Sequence, residues 1–223
     1  MRLTLVDELL LLTRREQDAR SLIGATELDC GVAGALLAEL ALAERVQLVN
    51  GRIAVVDPSP LGDPDLDALL ERIAADRKPR KAERWVSGMR RDGTRKRRLA
   101  RLAAMGVLEA REHKALGLFP YTDYTMRDPR PRQELHARLE AVLNGAPSDD
   151  RSSTLLAIAH ACRLDRKAFP EVDGRVRRRR VKEITEDEWA GRAVAKVIAS
   201  IQAGVQAATT AAVIGGSAGS SGS

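Results

Sequence analysis

The chain has 223 residues, 44% hydrophobic and 30% charged, with a formal net charge of +6, a balance that excludes a chain disordered throughout. Aromatic residues make up only 3%. The core must therefore be built from Leu, Ala, Val and Ile, which points to helices rather than a β-sandwich. Charge is unevenly spread: residues 1–76 carry 7 basic and 14 acidic side chains, whereas residues 77–223 carry 30 and 17. The basic portion is suited to phosphates, whether of nucleic acid or of lipid head groups.

The opening LTLVDELLLL predicts a buried helix with Thr4 as N-cap and Asp7 in the capping-box position. Asp7 and Glu8 interrupt its leucines, and the apolar run is too short to span a membrane. A second helix covers CGVAGALLAELALAER, where Gly31, Ala33, Gly34 and Ala35 permit close approach of a neighbour. In RVQLVNGRIAVVDP, Asn50-Gly51 between two apolar runs predicts a two-residue hairpin that sets Val46 opposite Val55 and Leu48 opposite Ile53. After the Pro- and Gly-rich connector PSPLGDPD come an amphipathic helix over 65–78 and another from about Lys81 to Met89.

The stretch RDGTRKRRLARLAAMGVL follows, with five basic residues between Arg95 and Arg101. On a helical wheel Arg95 projects with Leu99 and Leu102 towards the core, while Arg97 and Arg101 point away. Asp92 or Thr94 can cap this helix, and a partly buried Arg95 requires either a bound anion or an internal carboxylate. Residues 106–129 then read as a further hairpin. Passages 33–56 and 95–126 thus share an order of helix, turn and strands. Helices are expected over 133–145, ending at Gly145, and over 153–164; RVRRRRVKEIT reads as a solvated arginine face or loop. Residues 189–214 form a long Ala-rich packing helix. The domain is expected to be a single unit over residues 1–214, with 215–223 a flexible Gly/Ser tail.

Sites for chemistry are not evident. His113, His136 and His160 are far apart, no metal-ligand spacing or phosphate-loop motif occurs, and no enzymatic activity, metal or cofactor is expected. His160 reads as a hydrogen-bonded core histidine. Cys30 and Cys162 lack CxxC spacing and read as reduced and buried, in a cytosolic protein.

Three passages taken together, LTLVDELLLL, LLAELALAERVQLVNGRI and RLARLAAMGVLEAREHKALGLFPYTD, resemble the Golgi phosphoprotein 3 family, including its bacterial members. The resemblance implies a mainly α, single-domain helical bundle with surrounding amphipathic helices and short β-hairpins. It also implies a peripheral membrane protein recognising phosphatidylinositol 4-phosphate, with partners among membrane enzymes bearing cytosolic tails. One count places the family's head-group arginine on Arg97. Aligning the helix instead puts its arginine pair on Asp92 and Arg95, the reading favoured here. The family's tryptophan and arginine on the second helix fall at Gly24 and Ala33, so the eukaryotic pattern is only partly kept.

The functional expectation is binding of anionic phospholipid at the inner face of the membrane. Arg90, Arg91, Arg95, Lys96 and Arg98 would hold head groups, and Leu116, Leu118 and Phe119 would supply a membrane-contacting hairpin, or equally face the core. Two other classes stand behind it. One is a winged-helix-like nucleic-acid binder, disfavoured by few stacking aromatics and by no Asn or Gln on the basic helix to read adenine. The other is an adaptor for acidic protein tails.

Overall fold

The computed structural model describes residues 3–15, 20–90, 92–115, 119–186 and 193–217. The chain is mainly α: among the described residues ten helices accompany two separate two-stranded antiparallel sheets.

Helix α1 (Leu5–Leu12) lies at the centre, with every residue buried. Thr4 caps it, and Thr4 and Asp7 exchange the reciprocal bonds of a capping box, as the sequence predicts. Burying each of its leucines contributes roughly 2 kcal/mol, but the helix also takes Asp7 and Glu8 into the interior. Both carboxylates are met by arginines: Asp7 by Arg101, and Glu8 by Arg138 at 2.9 Å and Arg151 at 3.0 Å. Arg151 also reaches Glu39 at 3.1 Å and donates to the Leu3 carbonyl at 2.7 Å. Helices α5 (Thr94–Ala104), α6 (Arg130–Leu143) and α7 (Asp150–Ala161) supply these arginines.

Helix α2 (Ala25–Leu42) starts earlier than the sequence suggested, at the N-cap Gly24. It packs on α1, α7 and α10 (Ala193–Ser217). Its glycines sit at close approaches: a Cβ on Gly34 would lie 2.4 Å from Val205 of α10, and one on Gly31 would lie 3.1 Å from Leu9 of α1. Helix α10 extends to Ser217, past residue 214. No helix among the described residues is long and apolar enough to cross a membrane.

Strands β1 (Val46–Val49) and β2 (Arg52–Val55) pair in the predicted register, Val46 with Val55 and Leu48 with Ile53. Asn50 and Gly51 both adopt positive φ, as a primed two-residue turn requires. Val46 and Ile53 anchor this hairpin in the core. Strands β3 (Leu108–Ala115) and β4 (Phe119–Met126) form the second hairpin. Leu108 and Tyr124 bury its base, whereas Glu109 to His113 are exposed, so β3 leaves the body as an arm. Leu116 and Leu118 lie outside the described residues, as does the side chain of Phe119.

Helices α3 (Pro64–Ala74) and α4 (Ala82–Met89) are amphipathic as expected. The short α8 (Asp165–Ala168) leads to α9 (Gly174–Glu186), and here the expectation needs correcting. RVRRRRVKEIT is a helix and not a loop; Arg175, Arg178 and Arg179 form its solvated face, but Arg177 is buried at 5% exposure. Its guanidinium meets buried Asp165 at 3.0 Å and the carbonyls of Phe169 and Val172. His160, one-third exposed, bonds to the same carboxylate at 2.9 Å. Cys30 and Cys162 are free and buried, and burial pushes the Cys162 thiol up to about 12.

Gly204 fixes how α10 meets α4, since a Cβ there would lie 2.6 Å from the Glu83 backbone nitrogen. Gly204→Val should lower unfolding free energy by about 2 kcal/mol in urea titration, because backbone cannot yield as a side chain can. Gly88, in α4 with nothing within 4 Å of its missing Cβ, is the control. Gly88→Ala should raise stability by about 0.5 kcal/mol through helix propensity.

Candidate functional site at the junction of α4 and α5

The basic helix α5 begins at a left-handed Gly93, φ +80°, which turns the chain sharply out of α4. Asp92 secures the start: its carboxylate accepts from the Thr94 backbone N–H at 3.0 Å and from the Thr94 hydroxyl at 2.7 Å. The turn brings Arg90, Arg95 and Lys96 around a concavity of about 200 Å³, closed by Met89 and by Asp29 of α2. Arg91 lies outside the described residues.

Asp29 is the partner that Arg95 requires. The Arg95 Nε lies 3.2 Å from its carboxylate, and both side chains are partly exposed. Burial pushes the Asp29 carboxyl above its ordinary range, against the pull of Arg95 and Arg90. The concavity therefore holds a carboxylate that is reluctant to ionise among cations that outnumber it. Arg90 and Lys96 have no ion pair with a described residue, and Lys96 is exposed.

On the other side of Arg95 and Lys96 lies a larger cavity of about 820 Å³, walled by Arg14, Leu28, Leu99, Tyr121 and Tyr124. The rings of His113 and Tyr121 stack there, 5.4 Å apart, and His113 lies 3.6 Å from Asp123. Burial lowers the Arg14 guanidinium from its ordinary value, and the charge of Arg95 adds to that. Arg95 and Lys96 thus form the ridge between two hollows.

Arg98, expected among the head-group cations, is placed elsewhere. It is 1% exposed and clasped by Asp63 and Asp65 at the start of α3, with contacts of 2.7 Å to each carboxylate. The helical wheel places the core on the Leu99 side but gives no sign that the first turn of α3 covers the neighbouring flank. Arg97 is half-exposed and turns back on its own helix start, reaching Asp65 at 2.8 Å and the Thr94 hydroxyl at 2.9 Å. Arg101, expected to point away, reaches inward to Asp7. The structure thus brings Arg90, Arg95 and Lys96 together, and sequence reasoning misses Asp29, one of three acids on α2, whose position beside α5 is set by tertiary packing.

The Asp63–Arg98 pair has a testable pH signature. Burial opposes ionisation of Asp63, but the hydrogen bond and charge of Arg98 outweigh it and hold the carboxyl below its ordinary value. A carboxyl lowered in the folded state stabilises the fold above its unfolded value of about 3.9, and that contribution is lost as pH falls through the lowered folded value. Arg98→Met leaves Asp63 without its cation, while Asp65 keeps Arg97, and should cost about 3 kcal/mol at pH 7 by urea unfolding. Its deficit should shrink as pH falls below about 4, where the wild type loses the same interaction.

A family model described as Golgi phosphoprotein 3 (GPP34) matches residues 5–201, from the first residue of α1 into α10. The match spans the central helix, both hairpins and the α4–α5 junction, and the chain accordingly belongs to the Golgi phosphoprotein 3 family.

Proposed function

We propose that this chain is a peripheral membrane protein that holds anionic phospholipid head groups at the α4–α5 junction, on the inner face of the membrane. The observation that carries the reading is the convergence of Arg90, Arg95 and Lys96 on one open concavity whose two carboxylates are Asp92, engaged with Thr94, and Asp29, which burial holds above its ordinary range. Membership of the Golgi phosphoprotein 3 family is consistent with a lipid-binding or adaptor role. A second, apolar contact through Leu116, Leu118 and Phe119, expected from the sequence, belongs to this proposal, and the exposed strand β3 leads to them from beside the site.

Each cation near an anionic surface contributes about 1 kcal/mol, so three give transient attachment that weakens with salt. A phosphate reaches Arg95 by taking the place of Asp29. Ala33, where the sequence resemblance places the family's arginine, is 1% exposed in α2, and Gly24 offers no side chain. These two positions favour recognition by charge over the phosphatidylinositol 4-phosphate pattern of eukaryotic relatives.

Flotation on neutral, phosphatidylglycerol-containing and phosphatidylinositol 4-phosphate-containing vesicles at two salt concentrations tests this. Both anionic compositions should carry the protein at low salt, and Arg95→Gln should reduce the bound fraction several-fold. Absence of flotation at low salt, or an unchanged Arg95→Gln variant, would contradict the reading.

Competition by Asp29 adds a pH dependence. Its raised carboxyl takes up a proton earlier than an ordinary carboxyl as pH falls, which removes the internal rival for Arg95, so vesicle binding should strengthen with acid. Asp29→Asn should bind more tightly at neutral pH and lose that acid enhancement; a variant that binds more weakly than wild type would refute the competition.

A further inference from the structure

A second basic hollow lies at the opposite end of α4. It is a cleft of about 700 Å³ in which six cations, Arg52, Arg77, Lys78, Arg80, Lys81 and Arg84, face only two acids, Asp76 and Glu83. Two of the six are engaged internally. Arg80 pairs with Asp76 and lies over the Trp85 ring at 5.5 Å, and Arg52 donates to the Pro79 carbonyl at 3.0 Å. The remaining four are exposed and have no ion pair with a described residue.

This placement works against the fold's own electrostatics. Lys81 is the N-cap of α4 and makes no capping bond, and Arg84 stands in the first turn. Cations at the positive end of a helix are disfavoured, and here they also repel one another. Glu83, in the same first turn, offsets only part of this, and local rules broken with little compensation are expected at functional positions.

The cleft is also held in shape. Ile53 of β2 donates to the Arg80 carbonyl at 2.8 Å, and Asp76 accepts from the Lys78 backbone N–H at 3.3 Å, so the 76–81 segment is pinned between the first hairpin and α4. A concave wall of guanidinium forks and ammonium groups suits a compact, multiply charged oxyanion. A nucleic-acid strand fits poorly, because Trp85 is 5% exposed beneath Arg80 and offers no stacking face.

We propose that this cleft is a second phosphate site, separate from the Arg95 concavity and taking a phosphomonoester or pyrophosphate group, whether free or carried by a lipid. The eight residues of α4 set the two sites about 12 Å apart along the helix. The proposal stands whether or not Arg95 binds lipid.

Thermal unfolding of the full chain in sodium pyrophosphate, against sodium sulfate and sodium chloride at matched ionic strength, is the test. Pyrophosphate at about ten times its Kd should raise Tm by about 3 °C beyond the sulfate value. The triple variant Lys78→Gln, Lys81→Gln, Arg84→Gln should lose that increment while unfolding no lower than wild type without anion, since like-charge repulsion is relieved. Arg111→Gln, at an exposed arginine outside both hollows, should keep the increment. Flotation on phosphatidic acid vesicles then separates the sources: reduced binding of the triple variant assigns the phosphate to a lipid, and unchanged binding assigns it to a free ligand. No increment over sulfate in wild type, an undiminished increment in the triple variant, or one abolished by Arg111→Gln would each overturn the proposal. Failure of Arg95→Gln to alter vesicle binding bears only on the α5 site.

Discussion

Asp7 and Glu8, carried into the interior by the central helix, constrain the remainder of the structure. An unpaired buried carboxylate costs several kcal/mol, so α1 is stable in the core only if cations arrive from its neighbours. Arg101, Arg138 and Arg151 come from three different helices, and their convergence fixes how α5, α6 and α7 lie around α1. The pairing is directional as well as attractive: Arg151 bridges Glu8, Glu39 and the Leu3 carbonyl at once, which ties α7 to both α1 and α2. Apolar burial alone would leave the rotation of these helices loosely set.

That lattice sorts the many basic side chains into two populations. Arg98, Arg101 and Arg177 are spent on internal carboxylates, and a net positive charge therefore overstates what faces outward. With Arg101 drawn towards Asp7 and Arg98 towards the start of α3, the first turn of α5 presents Arg95 and Lys96 at the surface beside Arg90. Among the cations with no carboxylate partner in the described residues, Arg90 and Lys96 lie at one end of α4 and Arg77, Lys78, Lys81 and Arg84 at the other. The functional reading grows out of this sorting and not out of the total charge.

Much of the fold is legible in the sequence because it is local. The Thr4 capping box, the Asn50-Gly51 turn with its register and the close-packing glycines of α2 all depend on residues a few positions apart or on backbone sterics. Site residues are legible only in part. Arg95 can be placed on the core-facing side of α5 from periodicity, but Asp29 meets it across 66 positions of sequence, and nothing in the spacing announces that partner. Arg98 shows the reverse failure, since a wheel drawn for one helix cannot include the α3 terminus that buries it. The arginine block in α9 misleads for the same reason: its composition suggests solvent, and Asp165 on a neighbouring turn makes an interior position stable for Arg177.

The division between internal and outward arginines can be observed directly from the arginine Nε–H resonances of the labelled protein as sodium glycerol phosphate is added at low salt. The Arg95 signal should move while those of Arg98 and Arg101 stay in place, because each is already held by an internal carboxylate, Asp63 or Asp7. Movement of Arg98 together with Arg95, or no movement of any arginine, would contradict the separation on which the proposed function rests.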